Sequence, residues 1–166
     1  DAGVFAPDAR IELIEGEIFD KAPIGSRHAS VVNRLNRIIV QAVGERVITQ
    51  VQGPVRLGDL SEPEPDLALL VPRADYYRDA LPSAAGVLLI IEVADSTQRL
   101  DRRVKVPLYA RHGVPEVWVI DLENVLVHFH RRPDNGAYAE ISATEHPSST
   151  PIAALPGITV DLSGVL

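Results

Sequence analysis

Two acids and a lysine stand where a folded chain seldom places charge. Asp66 follows Pro65 and opens the run Asp66-Leu67-Ala68-Leu69-Leu70-Val71. Glu92 lies near the end of a longer run, Gly86-Val87-Leu88-Leu89-Ile90-Ile91-Glu92-Val93. Short apolar runs rich in Val, Ile and Leu and bounded by Pro and Gly suit strands of a sheet covered on both faces. A carboxylate inside such a strand is costly to bury unless something pairs with it, and a divalent cation is one such partner. Lys105 comes next, inside the helical pattern Leu100-Asp101-Arg102-Arg103-Val104-Lys105. Neighbouring strands lie roughly 5 Å apart, so acids from two adjacent strand ends can share one Mg²⁺. A cation held there would bind a phosphate, lower the pKa of a coordinated water and offset charge building on phosphorus. A lysine adds a positive point charge that positions the water or stabilises the transition state. Together these are the parts of a metal-dependent phosphodiesterase. Each residue also has a plainer reading: Asp66 as a strand start or cap, Glu92 as half of a structural ion pair, and Lys105 as a solvated partner of Asp101 one helical turn away.

The rest of the composition narrows the class. With 166 residues the chain is expected to form one domain over 1–166, large enough for a sizeable core. It has no cysteine, which excludes disulfides, thiolate metal sites and cysteine nucleophiles. No apolar run approaches the roughly 18–20 residues that span a bilayer, and no charged-then-apolar leader opens the chain, so a cytoplasmic location is expected. The chain opens on Asp1 and contains no Met, so its N-terminus is expected to be truncated. The net charge of −7 argues against tight non-specific nucleic-acid binding, which usually draws on a basic surplus. Part of that acidity is accounted for if a cation neutralises it.

The elements that must position the three residues follow from pattern. Arg10 to Asp20 alternates about Gly16 and predicts a tight hairpin. Ser26 is the expected N-cap of a helix over 27–43, with Val31, Leu35, Ile38, Ile39 and Ala42 as its apolar stripe and Gly44 as its C-cap. Asn33, Arg34, Asn36, Arg37 and Gln41 form its polar face. Arg46 to Gln52 predicts a strand, with Val55 to Leu57 a short continuation, and an acidic loop over 58–65 leads into the Asp66 strand. Residues 72–86 are irregular, with one helical turn around Tyr76 to Leu81. After the Val87–Val93 strand, Asp95 with Gln98 fits a capping box. The helix beyond it has Leu100, Val104, Leu108 and Arg111 on its inner stripe, is bent by Pro107, and ends at Gly113. Glu116 to Asp121 predicts a buried strand, and Val125–Arg131 with Ala137–Ser142 a hairpin about Pro133-Asp134-Asn135-Gly136. The tail from Glu145 is loop with short extended pieces. A helix between the Val87 and Val117 strands is a crossover, which implies a parallel pair. The fold class is mixed α/β.

At this level the chain resembles the Uma2 (DUF820-like) restriction-endonuclease family of the PD-(D/E)XK nuclease superfamily. The resemblance rests on Glu12-Leu13-Ile14-Glu15-Gly16-Glu17-Ile18, His28 opening a helix, Pro65-Asp66-Leu67-Ala68, and Ile91-Glu92-Val93 before Asp95-Ser96-Thr97. It continues through Asp101 with Lys105, Tyr109-Ala110, Gly113-Val114-Pro115-Glu116-Val117-Trp118-Val119-Ile120-Asp121 and Leu155-Pro156-Gly157. It implies a restriction-endonuclease-like fold, a mixed β-sheet flanked by helices with N-terminal and C-terminal hairpins. It further implies Asp66 and Glu92 as ligands of Mg²⁺ or Mn²⁺, joined by the backbone carbonyl of Val93. The usual motif places its lysine two residues after the second acid, where this chain has Ala94; the lysine is displaced to the next helix, as Lys105. Glu17 and His28 also match family positions and rank below the trio.

Other candidates carry less. His128 and His130 share a strand face without an evident third ligand, and a solvent-facing hairpin explains them. Arg99, Arg102 and Arg103 with Arg73 and Arg78 offer a basic patch to DNA or simply a solvated face. Trp118 reads as core. There is no phosphate loop, serine elbow or dinucleotide fingerprint. The sequence thus points to a metal-dependent endodeoxyribonuclease acting on DNA, with Asp66, Glu92 and Lys105 as its site. The alternative is an inactive nuclease-fold module that binds nucleic acid or itself. Exposed edges in the C-terminal hairpin, and the two sites that double-strand cutting needs, lead to an expected homodimer.

Overall fold

The architecture was obtained as a computed structural model, and it describes residues 10–21, 23–95 and 99–166, the side chains of 99–102 excepted. The hairpin β1 (Ile11–Ile14) and β2 (Glu17–Asp20) comes first, followed by helix α1 (Ser26–Val43). Strands β3 (Ile48–Val51), β4 (Leu67–Leu70) and β5 (Val87–Ala94) precede helix α2 (Arg99–Arg111). Strands β6 (Glu116–Asp121), β7 (Leu126–Asp134), β8 (Ala137–Thr144), β9 (Ser149–Pro151) and β10 (Thr159–Asp161) complete the chain.

Six strands form the central sheet in the order β3-β4-β5-β6-β7-β8. Among the named strands of this sheet β5 and β6 are the pair that runs parallel, and α2 is the crossover that a parallel neighbour requires. Strand alternation divides the sheet into two faces. Leu67, Leu69, Leu89, Ile91, Val93, Trp118 and Ile120 pack under α1 together with Ile152, Val160 and Leu162 of the tail. Ala68, Leu70, Ile90, Val117 and Val119 pack against Leu108, Tyr109 and Ala110 of α2, and Ile14 of the N-terminal hairpin joins that layer. All six residues of β6 are buried, as expected of a central strand covered on both sides.

Strand β6 carries two charges that its burial must satisfy. Glu116 accepts from Arg131 Nε at 2.5 Å, Trp118 Nε1 at 2.7 Å and the Ala153 backbone N–H at 2.8 Å. These bonds pin the C-terminal tail onto the α1 face, where β9 and β10 pair antiparallel. The extended pieces expected in the tail are therefore a small second sheet, held by contacts too distant in sequence for local pattern to show.

Several local expectations are corrected. Gly25 is the N-cap of α1 and makes no side-chain cap bond; Ser26 is already helical. Gly44 closes the helix with φ 57° and donates its N–H to Val40 O. Val55 and Leu57 do not continue β3; they are buried loop residues held by Val55 N–H to Pro63 O and Leu57 N–H to Ser61 O, both 2.9 Å. The helical turn expected over 76–81 is absent, because Tyr76 and Tyr77 adopt left-handed φ of 50° and 61° and break any helical run. The turn of the β7–β8 hairpin narrows to Asn135-Gly136, both at positive φ, which matches the twist of a two-residue hairpin. Gly113 ends α2 at φ 75° as expected. The Asp95–Gln98 capping box and the Leu100 stripe position lie outside the described residues.

Trp118 is fully buried and meets Phe129 edge-on at 5.7 Å between ring centres. Replacing a fully enclosed aromatic leaves a cavity costing about 3–5 kcal/mol. Trp118→Ala should lose that much in urea denaturation at an unchanged m-value, and a loss below about 1 kcal/mol would contradict the packing described.

Candidate active site

Pairing register brings the two acids together. Leu67 of β4 faces Ile91 of β5, so one residue further out Asp66 falls opposite Glu92. Asp66 sits just before β4, where the Gln52 backbone N–H still donates to its carbonyl at 3.0 Å and extends the ladder. Its carboxylate is tightly held: Oδ2 accepts from the Val93 backbone N–H at 2.8 Å and lies 3.0 Å from His28 Nε2 of α1. Gln52 Nε2 donates to Oδ1 at 3.4 Å. Burial pushes the Asp66 pKa up, but the His28 bond and charge, the Val93 N–H and Gln52 outweigh it, and the net shift is down. His28 is the mirror case: burial opposes its charged form, the bond and charge of Asp66 with the charges of Glu92 and Asp95 favour it, and its pKa ends raised.

Glu92 projects from β5 toward α2. Its Oε1 accepts a 2.6 Å bond from the Tyr109 hydroxyl and lies 3.5 Å from Lys105 Nζ. Burial is the largest influence on Glu92 and lifts its pKa; Asp66 and Glu12 add to that, Lys105 and Tyr109 oppose it, and the result is about 7. Burial, with Glu92 beside it, also drives the Tyr109 hydroxyl well above its ordinary value, so Tyr109 stays a donor. Lys105 is not the solvated surface lysine of the plainer reading. It is 3 % exposed and donates to Glu12 Oε1 at 2.7 Å. The Asp101 side chain lies outside the described residues.

Glu12, from β1, is the group that sequence reasoning missed. It alternates with Leu13 in what reads as an ordinary half-exposed hairpin, yet it is 2 % exposed and receives Lys105, Lys21 and the Glu64 backbone N–H. The hairpin is docked on the loop before β4 by Glu62 N–H to Leu13 O at 2.7 Å and Gly16 N–H to Leu60 O at 2.8 Å. Nothing local signals this. Tyr109 did leave a signal, standing one helical turn after Lys105 and so on the same face.

The family model Uma2, described as "Putative restriction endonuclease", matches residues 3–163. The chain belongs to the Uma2 family. Among solved structures it is similar to a crystal structure titled as a putative nuclease belonging to DUF820 from Anabaena variabilis ATCC 29413. The two are 20% identical with a TM-score of 0.70, and the match covers 86% of this chain and 80% of the other. That likeness shows a shared nuclease-like α/β fold. No curated protein matches the chain.

Among the described residues of this Uma2 chain, His28 is the remaining candidate that contacts the acids. Glu17 is exposed on β2, whereas His28 is buried against Asp66. Arg73 pairs with Asp75 at 2.6 Å and Arg78 with Asp79 at 3.3 Å, so the expected patch is partly spent on its own loop; the Arg99 and Arg102 side chains lie outside the described residues. His128 and His130 are half-buried rather than solvent-facing, with stacked rings 6.5 Å apart and His128 Nε2 3.8 Å from Asp121.

The donor set fits a hard divalent cation. Among the described residues no three His, Asp or Glu side chains form a ready-made metal cage. Two carboxylates supplemented by a backbone carbonyl and water are, however, the sparse oxygen set that Mg²⁺ accepts, since it keeps much of its hydration. Asp66 and Glu92 retain 11% and 13% side-chain exposure, while His28, Lys105 and Glu12 beneath them have 4% or less. Burial first, then the repulsion of Asp66 and Glu12, raises Glu92, and a cation would relieve that imbalance.

A pH dependence follows. Folded Glu92 titrates near 7 against about 4.5 unfolded, so the native state holds the extra proton. That stabilisation is complete below about pH 4.5 and is lost as pH rises through 7, a change on the order of 3 kcal/mol. Metal-free Glu92→Gln should therefore be more stable than the parent at pH 8, with the gap closing toward pH 5. Thermal unfolding of both at the two pH values tests this, and a parent that gains on the variant as pH rises would refute it.

Proposed function

We propose that the protein is a Mg²⁺- or Mn²⁺-dependent endonuclease that hydrolyses phosphodiester bonds of DNA. The observation that carries this reading is one register: β4 and β5 pair so that Asp66 faces Glu92, with buried Lys105 3.5 Å from the second acid. Membership of a family described as "Putative restriction endonuclease" supports the same class.

Asp66, Glu92 and the Val93 carbonyl would hold the cation. When bound, it supplies a Lewis acid that polarises the phosphate and a water of lowered pKa. The chain's own residues do the remainder. His28 and the Val93 N–H fix the Asp66 carboxylate in one orientation, as outer partners of a metal ligand do. Lys105 brings positive charge to the place where negative charge grows on the phosphate, inside a site whose lower wall excludes water. The acidic net charge fits a protein that engages DNA chiefly where its acids are neutralised. A homodimer would give a double-strand cutter its two sites, and among the described residues β3 and β8 are the outer strands a second copy would meet. Acting on DNA, such an enzyme belongs in the cytoplasm; no helix among the described residues is long and apolar enough to cross a membrane.

Supercoiled plasmid incubated with Mn²⁺ should be nicked by the parent. Glu92→Gln and Lys105→Ala, prepared identically, should each lose at least about 100-fold, the scale of removing one preorganised electrostatic group. Loss in Glu92→Gln alone would remove Lys105 from the chemistry. Equal activity in all three, or none in any, would sink the nuclease reading and favour a binding module.

A further inference from the structure

A lysine displaced from strand to helix carries a long, flexible side chain, so its charge is useful only if something anchors the ammonium. Glu12 has the geometry of an anchor. Its Oε1 receives Lys105 Nζ at 2.7 Å, the Glu64 backbone N–H at 2.8 Å and Lys21 Nζ at 3.2 Å. The three donors come from α2, from the segment entering β4 and from the end of β2, so this carboxylate is fixed from three directions. Lys105 also faces Glu92, which the described residues grip by one oxygen. Oε1 takes the Tyr109 hydroxyl at 2.6 Å and faces Lys105 at 3.5 Å, both from the same face of α2. No described side chain of α2 engages the other oxygen, Oε2.

We infer that Glu12 and Tyr109 are positioning residues: Glu12 tethers Lys105, and Tyr109 holds Glu92 through Oε1 so that Oε2 is presented to a divalent cation. The N-terminal hairpin is thereby part of the active site although it contributes no ligand. The cation-facing half rests on the function proposed above; the tether stands on its own.

Isotope-labelled, metal-free protein at pH 7 tests the tether. Parent protein gives a slowly exchanging Lys105 ammonium resonance, as a buried ion-paired lysine should, and Glu12→Gln loses it while its amide spectrum stays folded. A resonance that persists in folded Glu12→Gln overturns the tether. Should that variant fail to fold, Glu12→Asp, one methylene shorter, provides the same comparison. Mn²⁺ titration followed by paramagnetic resonance tests the second half. Tyr109→Phe keeps the ring and its packing but binds Mn²⁺ about tenfold more weakly, the lower end of what losing an outer partner costs; Glu12→Gln keeps the parent's affinity and loses nicking. Equal affinity in Tyr109→Phe and parent overturns the Tyr109 role. A parent that shows the ammonium resonance yet takes up no Mn²⁺ upholds the tether and overturns the metal reading instead.

Discussion

Antiparallel pairing of β4 with β5 fixes where negative charge collects in this fold. A strand register is set by which side chains must be inside, and a slip of one residue would turn Leu67 and Leu69 of β4, or Leu89 and Ile91 of β5, out of the α1 layer. The same register places Asp66 opposite Glu92. The hydrophobic core and the acidic site are therefore specified together, and the apolar side chains hold two carboxylates near one another against their repulsion.

Everything around those acids answers the resulting imbalance. His28 comes from α1, Lys105 and Tyr109 from α2, and Glu12 from the hairpin, so each layer of the molecule sends one group or more to the same strand end. Partners arranged this way make the acids tolerable without making them comfortable. Asp66 is well compensated and stays ionised, whereas Glu92 is left protonatable near neutrality. Two carboxylates on neighbouring strands thus differ in affinity for a proton, an asymmetry found at sites of chemistry and also in buried ion-pair networks.

Much of this was readable beforehand, for reasons that are local. Short apolar runs around Asp66 and Glu92, the α1 stripe, the Gly44 and Gly113 terminators and the crossover between β5 and β6 all leave their marks within a few residues. What stayed hidden depends on distant partners. Glu12 looks like the polar half of a hairpin until the loop carrying Ser61 and Glu64 closes over it. Lys105 looks like half of a helix-surface pair until β1 supplies its carboxylate. Tyr76 and Tyr77, side chains that favour strands, take left-handed φ in a loop braced by Arg73 stacking on the Tyr77 ring and by the Tyr77 hydroxyl on Val71 O. Pairing of β9 with β10 is likewise a product of tertiary docking, through Glu116 and Ala153.

Lys105 and Tyr109 ride on a helix, whereas Asp66 and Glu92 are locked into a hydrogen-bonded sheet. Backbone ladders resist sliding; a helix laid across a sheet is kept in place by its side chains, here by packing and by the Lys105–Glu12 and Tyr109–Glu92 bonds, with Pro107 removing one of its own backbone bonds between those two positions. A small axial shift of α2 would carry the ammonium and the phenol together past Glu92 without moving either acid. The site is in that sense assembled from a fixed half and an adjustable half. The charge beside Glu92 therefore depends on where α2 sits, and the pairing of the acids on the sheet's register.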